Sequence, residues 1–503
     1  MLFSWQMLAQ GFAQALTPES LLFALIGSLV GTLVGVLPGI GPTSAIAILL
    51  PLTTILPPTS ALIMMAAIYY GAQYGGSTTA IMVNIPGEAS SVPTTLDGYQ
   101  MAKKGRAGPA LAISAISSFY AGTLSMIGLT FFAPLLAGVA LAFGPPEYFA
   151  LMFMALSLII GLSGRALLKG VIAMCIGLLV SMMGLDPVTG AARLTFGLVD
   201  LMGGVNFISV IIGLFAIGEV LVNVEKDMEF IYTSTIKKLL PTWAEIRGLI
   251  GTMTRATGLG FFMGLLPGCS PAVTTFVAYD LEKRVSKHPE KFGTGVIEGV
   301  AAPEGANNAT SQGGFVPLFA FGIPAGPALA VMLGGFMMYG LQPGPRLFQE
   351  NPQLVWSVIA SMYIGNAMLL ILNLPLVGLW VRIALIPFPI LGPLIVLFSV
   401  IGAYSVRYLV FDVWVALLFG VIGYLMRKFG FPMAPMVLAT VLAQMLETNL
   451  KQSLAISHGS YAIFFTRPIS VVFMLLGLAV IFRGVWSQYR GQAMELADEG
   501  GEA

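Results

Sequence analysis

The stretch GVLPGIGPTSAIAILLPLT, Gly35 to Thr53, sits inside a long apolar run. A membrane helix is expected there, yet Leu37 to Pro42 packs two Pro and two Gly into six positions. Pro removes a helical N–H and Gly loosens the backbone, so the segment is built to break.

The whole chain has the composition of a membrane protein. Of its 503 residues 57% are hydrophobic and only 9% charged. Ordinary soluble domains carry about 25% charge. A soluble fold of this size could not bury so much apolar surface. A spanning helix needs about 20 apolar residues, and the chain offers roughly ten such windows. The net charge of +1 gives no basic field for nucleic acid. Cys175 and Cys269 lie far apart in apolar sequence, and His288 and His458 are too few for a metal centre. No cofactor is expected beyond a Na⁺ as coupling ion. No cleavable signal is evident, and residues 1–20 read as an interfacial segment.

The opening break recurs. Gly35-Val-Leu-Pro-Gly-Ile-Gly-Pro42 is echoed by Gly264-Leu-Leu-Pro-Gly-Cys-Ser-Pro271, with Gly35, Leu37, Pro38, Gly39 and Pro42 matched identically. A second echo pairs GGSTTAIMVNIPG, Gly75 to Gly87, with GGFVPLFAFGIPA, Gly313 to Ala325. A third, weaker one pairs Ile160-Gly161…Arg165 with Ile401-Gly402…Arg407. Two repeats follow, 21–222 and 249–491, joined by a polar linker at 223–248 and followed by an acidic tail at 492–503 that reads as unstructured. Basic loops alternate between the copies. Lys283, Arg284, Lys287 and Lys291 follow the second copy's first break, whereas the matching loop near Ile55 to Ser60 has no basic residue. Lys103, Lys104 and Arg106 follow the first copy's Ile-Pro motif, whose counterpart near Leu341 to Phe348 has only Arg346. Lys and Arg favour the cytoplasmic side. The alternation predicts an inverted-topology repeat, with 103–106, 225–247, 282–291 and 427–428 in the cytoplasm. The fold class is therefore an all-α polytopic membrane protein of two inverted repeats with broken, re-entrant helices.

Irregular backbone survives at membrane depth only beside protein or a watered cavity. Paired breaks in two halves point to a transporter's binding site. Gly41-Pro42-Thr43 and Ser270-Pro271-Ala272 each place Pro in a first helical turn, at Thr43–Leu50 and its counterpart, with Ser270 as a candidate N-cap. Such helix starts aim N–H groups at an anion. The half-helix ends near Pro38 and Pro267 offer carbonyls to Na⁺. Polar cargo follows: Tyr69, Gln73, Ser77, Thr78 and Asn84 in one copy, and PEGANNATSQGG, Pro303 to Gly314, in the other. A polar surface loop is the alternative for 303–312. The expected substrate contacts are Gly39, Gly41, Thr43, Ser44, Gly75, Gly76, Ser77, Thr78, Asn84, Pro86, Gly268, Ser270, Asn307, Asn308, Gly313 and Pro324. Glu88 and Glu304 are the carboxylates placed to take a coupling cation or proton. A channel would show charge rings or repeated carbonyl filters, and an intramembrane enzyme a paired nucleophile and base. Neither is legible, so no enzyme is expected.

The motifs GVLPGIGPTSAIAILLPLT, YYGAQYGGSTTAIMVNIPGEASS, DGYQMAKKGRAGPALAISA and EGVAAPEGANNATSQGGFVPLFAFGIPAGPALAVMLGGF resemble the large membrane subunit of the tripartite tricarboxylate transporters, over about residues 15 to 490. The resemblance implies a multi-pass protein of the bacterial inner membrane. It implies a small membrane subunit and a periplasmic solute-binding protein as partners, and ion-coupled import of citrate-like or other carboxylates. It also implies kinship with elevator-type carboxylate carriers. A homodimer stays open. The positions that carry the resemblance are Pro38, Gly39, Gly41, Pro42, Gly75, Gly76, Pro86, Pro267, Gly268, Glu304, Asn307, Asn308 and Pro324.

Overall fold

A computed structural model describes residues 3–37, 40–161, 166–186, 188–225, 238–383 and 386–500. Pro38, Gly39, Arg165 and most of the polar linker lie outside the described residues. The described residues are mostly helical and include one two-stranded hairpin pairing Gly184–Leu185 and Ala192–Arg193. Among the described residues seven helices are long and apolar enough to cross a membrane, including Pro18–Val36, Ala107–Ala140, Phe207–Val224 and Pro352–Asn373. The chain is a multi-pass membrane protein.

The duplicated breaks separate matching elements. In the first copy Pro18–Val36 is broken from Pro42–Thr53, and Pro58–Val83 from the short turn Ala89–Ser91 and the helix Val92–Lys103. In the second, Ile250–Gly264 is broken from Pro271–Val285, and Glu298–Gly313 with Phe315–Phe321 from Pro327–Met338. Pro42–Thr53 has 12 residues. At 1.5 Å per residue that is about 18 Å, too short to cross about 30 Å of hydrocarbon.

Glycines set close helix packing at matched places in each copy. A Cβ on Gly35 would lie 2.2 Å from the Ala72 carbonyl oxygen, and one on Gly75 2.3 Å from that of Thr32. In the second copy a Cβ on Gly264 would lie 2.5 Å from the Thr310 oxygen, and one on Gly313 2.5 Å from that of Phe261. Small residues let helices approach this closely where hydrocarbon solvent supplies no hydrophobic drive. The paired Gly motifs thus clamp Pro18–Val36 to Pro58–Val83 and Ile250–Gly264 to Glu298–Gly313.

Loop contacts sort the molecule into two ends. At one, Lys104 Nζ donates to the Thr294 carbonyl at 2.5 Å, Arg106 pairs with Glu245, and Lys428 meets Glu225 at 3.1 Å. These are the loops that carry most of the basic residues. Thr252 and Arg255 both bind Glu282, at 2.8 and 2.7 Å, so the Ile250–Gly264/Pro271–Val285 hairpin starts and finishes at this basic end. The first copy's hairpin faces the other way. Ser60 donates to Glu19 at 2.8 Å, and only the short segment 54–57 separates Thr53 from Pro58.

At the opposite end Arg193 forks onto Glu447 at 2.5 and 3.2 Å, and Lys451 binds Asp186. The Lys451 ammonium and the N–H groups of Thr189 and Val188 hold the Asp186 carboxyl well below the usual carboxylate range. A depressed carboxyl stabilises the fold above its unfolded value of about 3.9 and loses that contribution as pH falls below it. Limited proteolysis of the 188–200 loop is therefore expected to accelerate in acid, and Lys451→Met to show the acid rate already at pH 7.

One alternative falls and two expectations change. PEGANNATSQGG is buried helix, not a surface loop. Of its buried amides, Asn307 reaches partners on other segments, the Gln73 carbonyl at 3.3 Å and Glu88 at 3.1 Å. The helix of the first break runs Pro42–Thr53, beyond Leu50. The last helix, Pro468–Gly500, continues into the acidic tail, because Gln492-Ala-Met-Glu-Leu-Ala497 is made of strong helix formers.

Candidate substrate cavity

The broken segments meet at a cavity of about 400 Å³. Three helix starts supply its wall: Gly41-Pro42-Thr43-Ser44, Ser270-Pro271-Ala272 and Gly326-Pro327-Ala328. Each has Pro in the first turn and an extended residue ahead of it. None of Gly41, Ser270 and Gly326 caps its helix with a side chain. Ser270 thus departs from its expected capping role: its side chain makes no bond to the helix start. Helices of 12, 15 and 12 residues point their positive ends into one space. The Thr43, Ser44 and Ser270 hydroxyls stand beside those ends. Among the described residues the wall holds no Lys or Arg.

Two carboxylates face the same cavity, Glu88 and Glu219. Ser90 donates to Glu88 Oε1 at 2.6 Å and Asn307 Nδ2 at 3.1 Å. With its amide nitrogen turned toward its acceptors, Gln73 donates to Glu88 Oε1 and to Asn307 Oδ1, both at 2.7 Å. Glu88 is therefore held by neutral donors from three segments. Glu219 is different: it pairs with Arg427 and takes a 3.2 Å bond from Asn223. It sits just past the π-helical turn Ile212–Ile217, whose Phe215 also lines the cavity. Such turns recur at functional sites because they reposition a side chain within a helix.

Glu304 lies behind this wall, fully buried. Ser77 and Thr94 donate to its two oxygens, and Ser114 adds a third bond at 3.1 Å.

The structure brings Gly41, Thr43, Ser44, Pro86, Glu88 and Ser270 together at the cavity. It places the other described members of the predicted set elsewhere. Gly75 and Gly313 serve the helix clamps, and a Cβ on Gly76 would lie 2.7 Å from Glu88 Cγ. Ser77 serves Glu304, Asn307 serves Glu88, and Asn308 donates to the Glu304 carbonyl at 3.3 Å. Thr78 and Pro324 are buried away from the wall. Asn84 ends its helix in the left-handed conformation, exposed. Gly268 has φ +84 and donates to the Ala325 carbonyl at 2.8 Å, joining one break to the other. Near Pro267 the Leu266 carbonyl accepts from Cys269. Gly39 and the carbonyls near Pro38 fall outside the described residues. Sequence reasoning missed Gly326-Pro327, although it repeats the Gly41-Pro42 signature. It also missed Phe215, Glu219 and Ala434, which no motif marks.

The Tripartite tricarboxylate transporter TctA family profile matches residues 21–438. The chain belongs to this family. A relative from Agrobacterium vitis is 47% identical over 479 residues, covering 94% of this chain and 95% of the relative. It is described as an uncharacterized 52.8 kDa protein in the TAR-I ttuC' 3' region. A second, from the TAR-II ttuC' 3' region of the same organism, is 43% identical over 233 residues, or 46% of this chain and 96% of the relative. No solved structure matches. TctA-family membership makes the chain a component of a transport system with partner subunits, and the profile spans both sets of breaks that build the cavity.

Proposed function

We propose that this chain imports a small carboxylate, citrate or a related organic acid, coupled to Na⁺ or H⁺, as the large membrane subunit of its transporter. The observation that carries the reading is the convergence of three uncapped helix starts on one cavity. Free N–H groups and hydroxyls there suit carboxylate oxygens without a permanent cation. The partners are a small membrane subunit and a periplasmic binding protein, in a bacterial inner membrane.

Coupling follows from Glu88. An anion entering beside an ionised carboxylate is repelled, by about 4 kcal/mol at 4 Å in a medium of effective dielectric 20. A cation or proton taken up at Glu88 removes that repulsion, so the two solutes enter together. Glu219 adds little repulsion because Arg427 neutralises it. Glu304 is the second carboxylate for the coupling ion.

Two-fold inverted repeats are supported by hairpins that open to opposite ends. With the basic end in the cytoplasm, Glu219 and Ala434 set the cavity near that side, as in an inward-facing state. Phe215, Glu219 and Ala434 then belong to a scaffold against which the broken helices move, the elevator reading of alternating access. Asn307→Ala removes a ligand of Glu88 without touching the cavity wall. It is expected to cut uptake at limiting substrate about tenfold, the loss of roughly 1.4 kcal/mol, at unchanged expression. Unchanged uptake would take Asn307 out of the mechanism.

The alternative is a gradient-independent facilitator. It would release the substrate to equal concentrations on both sides whatever gradient is imposed.

A further inference from the structure

Behind the cavity a second polar tract runs through the bundle. Glu304, Asn308 and Gln312 recur every fourth residue on Glu298–Gly313 and form one stripe. All three are completely buried. Among the described residues Asn308 Oδ1 and both amide atoms of Gln312 have no hydrogen-bond partner. The facing helix, Ala107–Ala140, carries Ser114 and Ser118, which are one turn apart, and further along Ser125. Ser114 reaches Glu304, whereas the Ser118 and Ser125 hydroxyls are buried and unpartnered. The two helices run side by side in one direction. Lys104 meets Thr294 ahead of both, and Phe143 stacks on Phe321 at 5.9 Å beyond both. Ala121, on the same stripe, faces Gly305. The orphaned groups thus extend from Glu304 away from the basic end, on a different face of the helix from Asn307 and the cavity.

An unpaired amide or hydroxyl in a dry interior costs several kcal/mol, and such groups in native proteins mark internal water or an ion. Waters with two to four polar partners are stable there.

We infer that this tract holds a file of internal waters that delivers protons to Glu304, so that Glu304 is a proton site fed from the end opposite the basic loops. The inference rests on the transporter reading for its purpose. A Na⁺ site of this kind wants free carbonyls from unwound backbone. Here Ser77, Ser114 and Glu304 sit inside helices and Thr94 in a first turn, so their carbonyls are taken. Pro303 releases one, that of Gly299. What remains is hydroxyls and carboxamides, each able to accept and donate, as proton transfer along water requires. Among the described residues no basic group bonds Glu304. Of the titratable groups on the surrounding elements, Glu88 bonds Asn307 and Ser90, Tyr74 bonds Asn366, and Asp97 bonds Tyr279 and the N–H groups of Gly293, Gly295 and Val296, whereas the buried Tyr70 hydroxyl has no partner among the described residues. Glu282 pairs with Arg255, and Lys103 lies at the exposed end of its helix.

Infrared difference spectroscopy of the full chain in lipid vesicles tests this without any substrate. A protonated-carboxyl C=O band is expected in the native protein, absent in Glu304→Gln and insensitive to Na⁺. Its shift on transfer to D₂O should slow about tenfold in Gln312→Leu and by a smaller factor in Ser118→Ala, as expected when a proton path loses a member. A spectrum in which Glu304→Gln removes no band would overturn the proton site. So would a band that Na⁺ abolishes. Unslowed exchange in both tract variants would overturn the water file. A chain that transports no carboxylate yet shows the band would retain the proton site and lose the transporter reading.

Discussion

Gly75→Val is expected to abolish the folded protein. Its first added carbon would sit 2.3 Å from the Thr32 carbonyl oxygen and 2.8 Å from the Val36 nitrogen, both backbone atoms of the facing helix. Backbone cannot swing aside as a long side chain can. Gly87 packs into the same knot, where a Cβ would lie 2.0 Å from the Gly35 oxygen. Overpacking costs about 1–3 kcal/mol where neighbours can yield, and more where they cannot. Total stability is typically only about 5–15 kcal/mol. Size-exclusion chromatography of the solubilised variant should show aggregate in place of the native peak. Gly41→Ala is the control: nothing lies within 4 Å of its added carbon, so it should elute as the native protein does.

Glu88→Gln is expected to uncouple transport rather than destroy it. The amide keeps the size of the carboxylate and can still accept from Ser90 and Asn307, so the network persists. What it loses is the charge that must be neutralised before an anion enters. Accumulation of carboxylate should fall to equilibration, a loss of about a hundredfold if the gradient normally supplies roughly 2.7 kcal/mol. Downhill exchange should survive. Glu88→Ala should do worse, because it strands Gln73, Asn307 and Ser90 without their shared acceptor, at about 1–3 kcal/mol for each buried group left unpaired. Retained accumulation in Glu88→Gln would remove Glu88 from coupling.

The breaks were legible because Pro and Gly write backbone geometry directly into sequence. LPGIGP and LLPGCSP could not be continuous helix, and both are helix-break-helix in the structure. The ends of the molecule were legible for a similar reason: the Lys and Arg loops that should share a side touch one another through Lys104, Arg106 and Lys428. The site was only partly legible. Periodicity places a residue on a helix but does not say which neighbour it meets. Gly75, Gly313 and Ser77 sit in polar, glycine-rich motifs, yet two serve packing and one serves Glu304. Glu219 stands alone in apolar sequence, and only its pairing with Arg427 and its nearness to Phe215 bring it to the cavity. The acidic tail of the chain misled differently: its composition suggested an unstructured end, but helix-forming residues carry the last helix into it as far as Gly500.

The central claim is that the broken helices form a carboxylate site coupled to a cation gradient. Its most direct measurement is uptake of radiolabelled carboxylates, citrate first, into proteoliposomes containing this chain and its small subunit. Uptake is followed with and without the cognate binding protein, under imposed Na⁺ or H⁺ gradients. The proposed function predicts accumulation above the outside concentration that requires the binding protein and one of the two gradients. Uptake that only equilibrates, indifferent to gradient and binding protein alike, would contradict it.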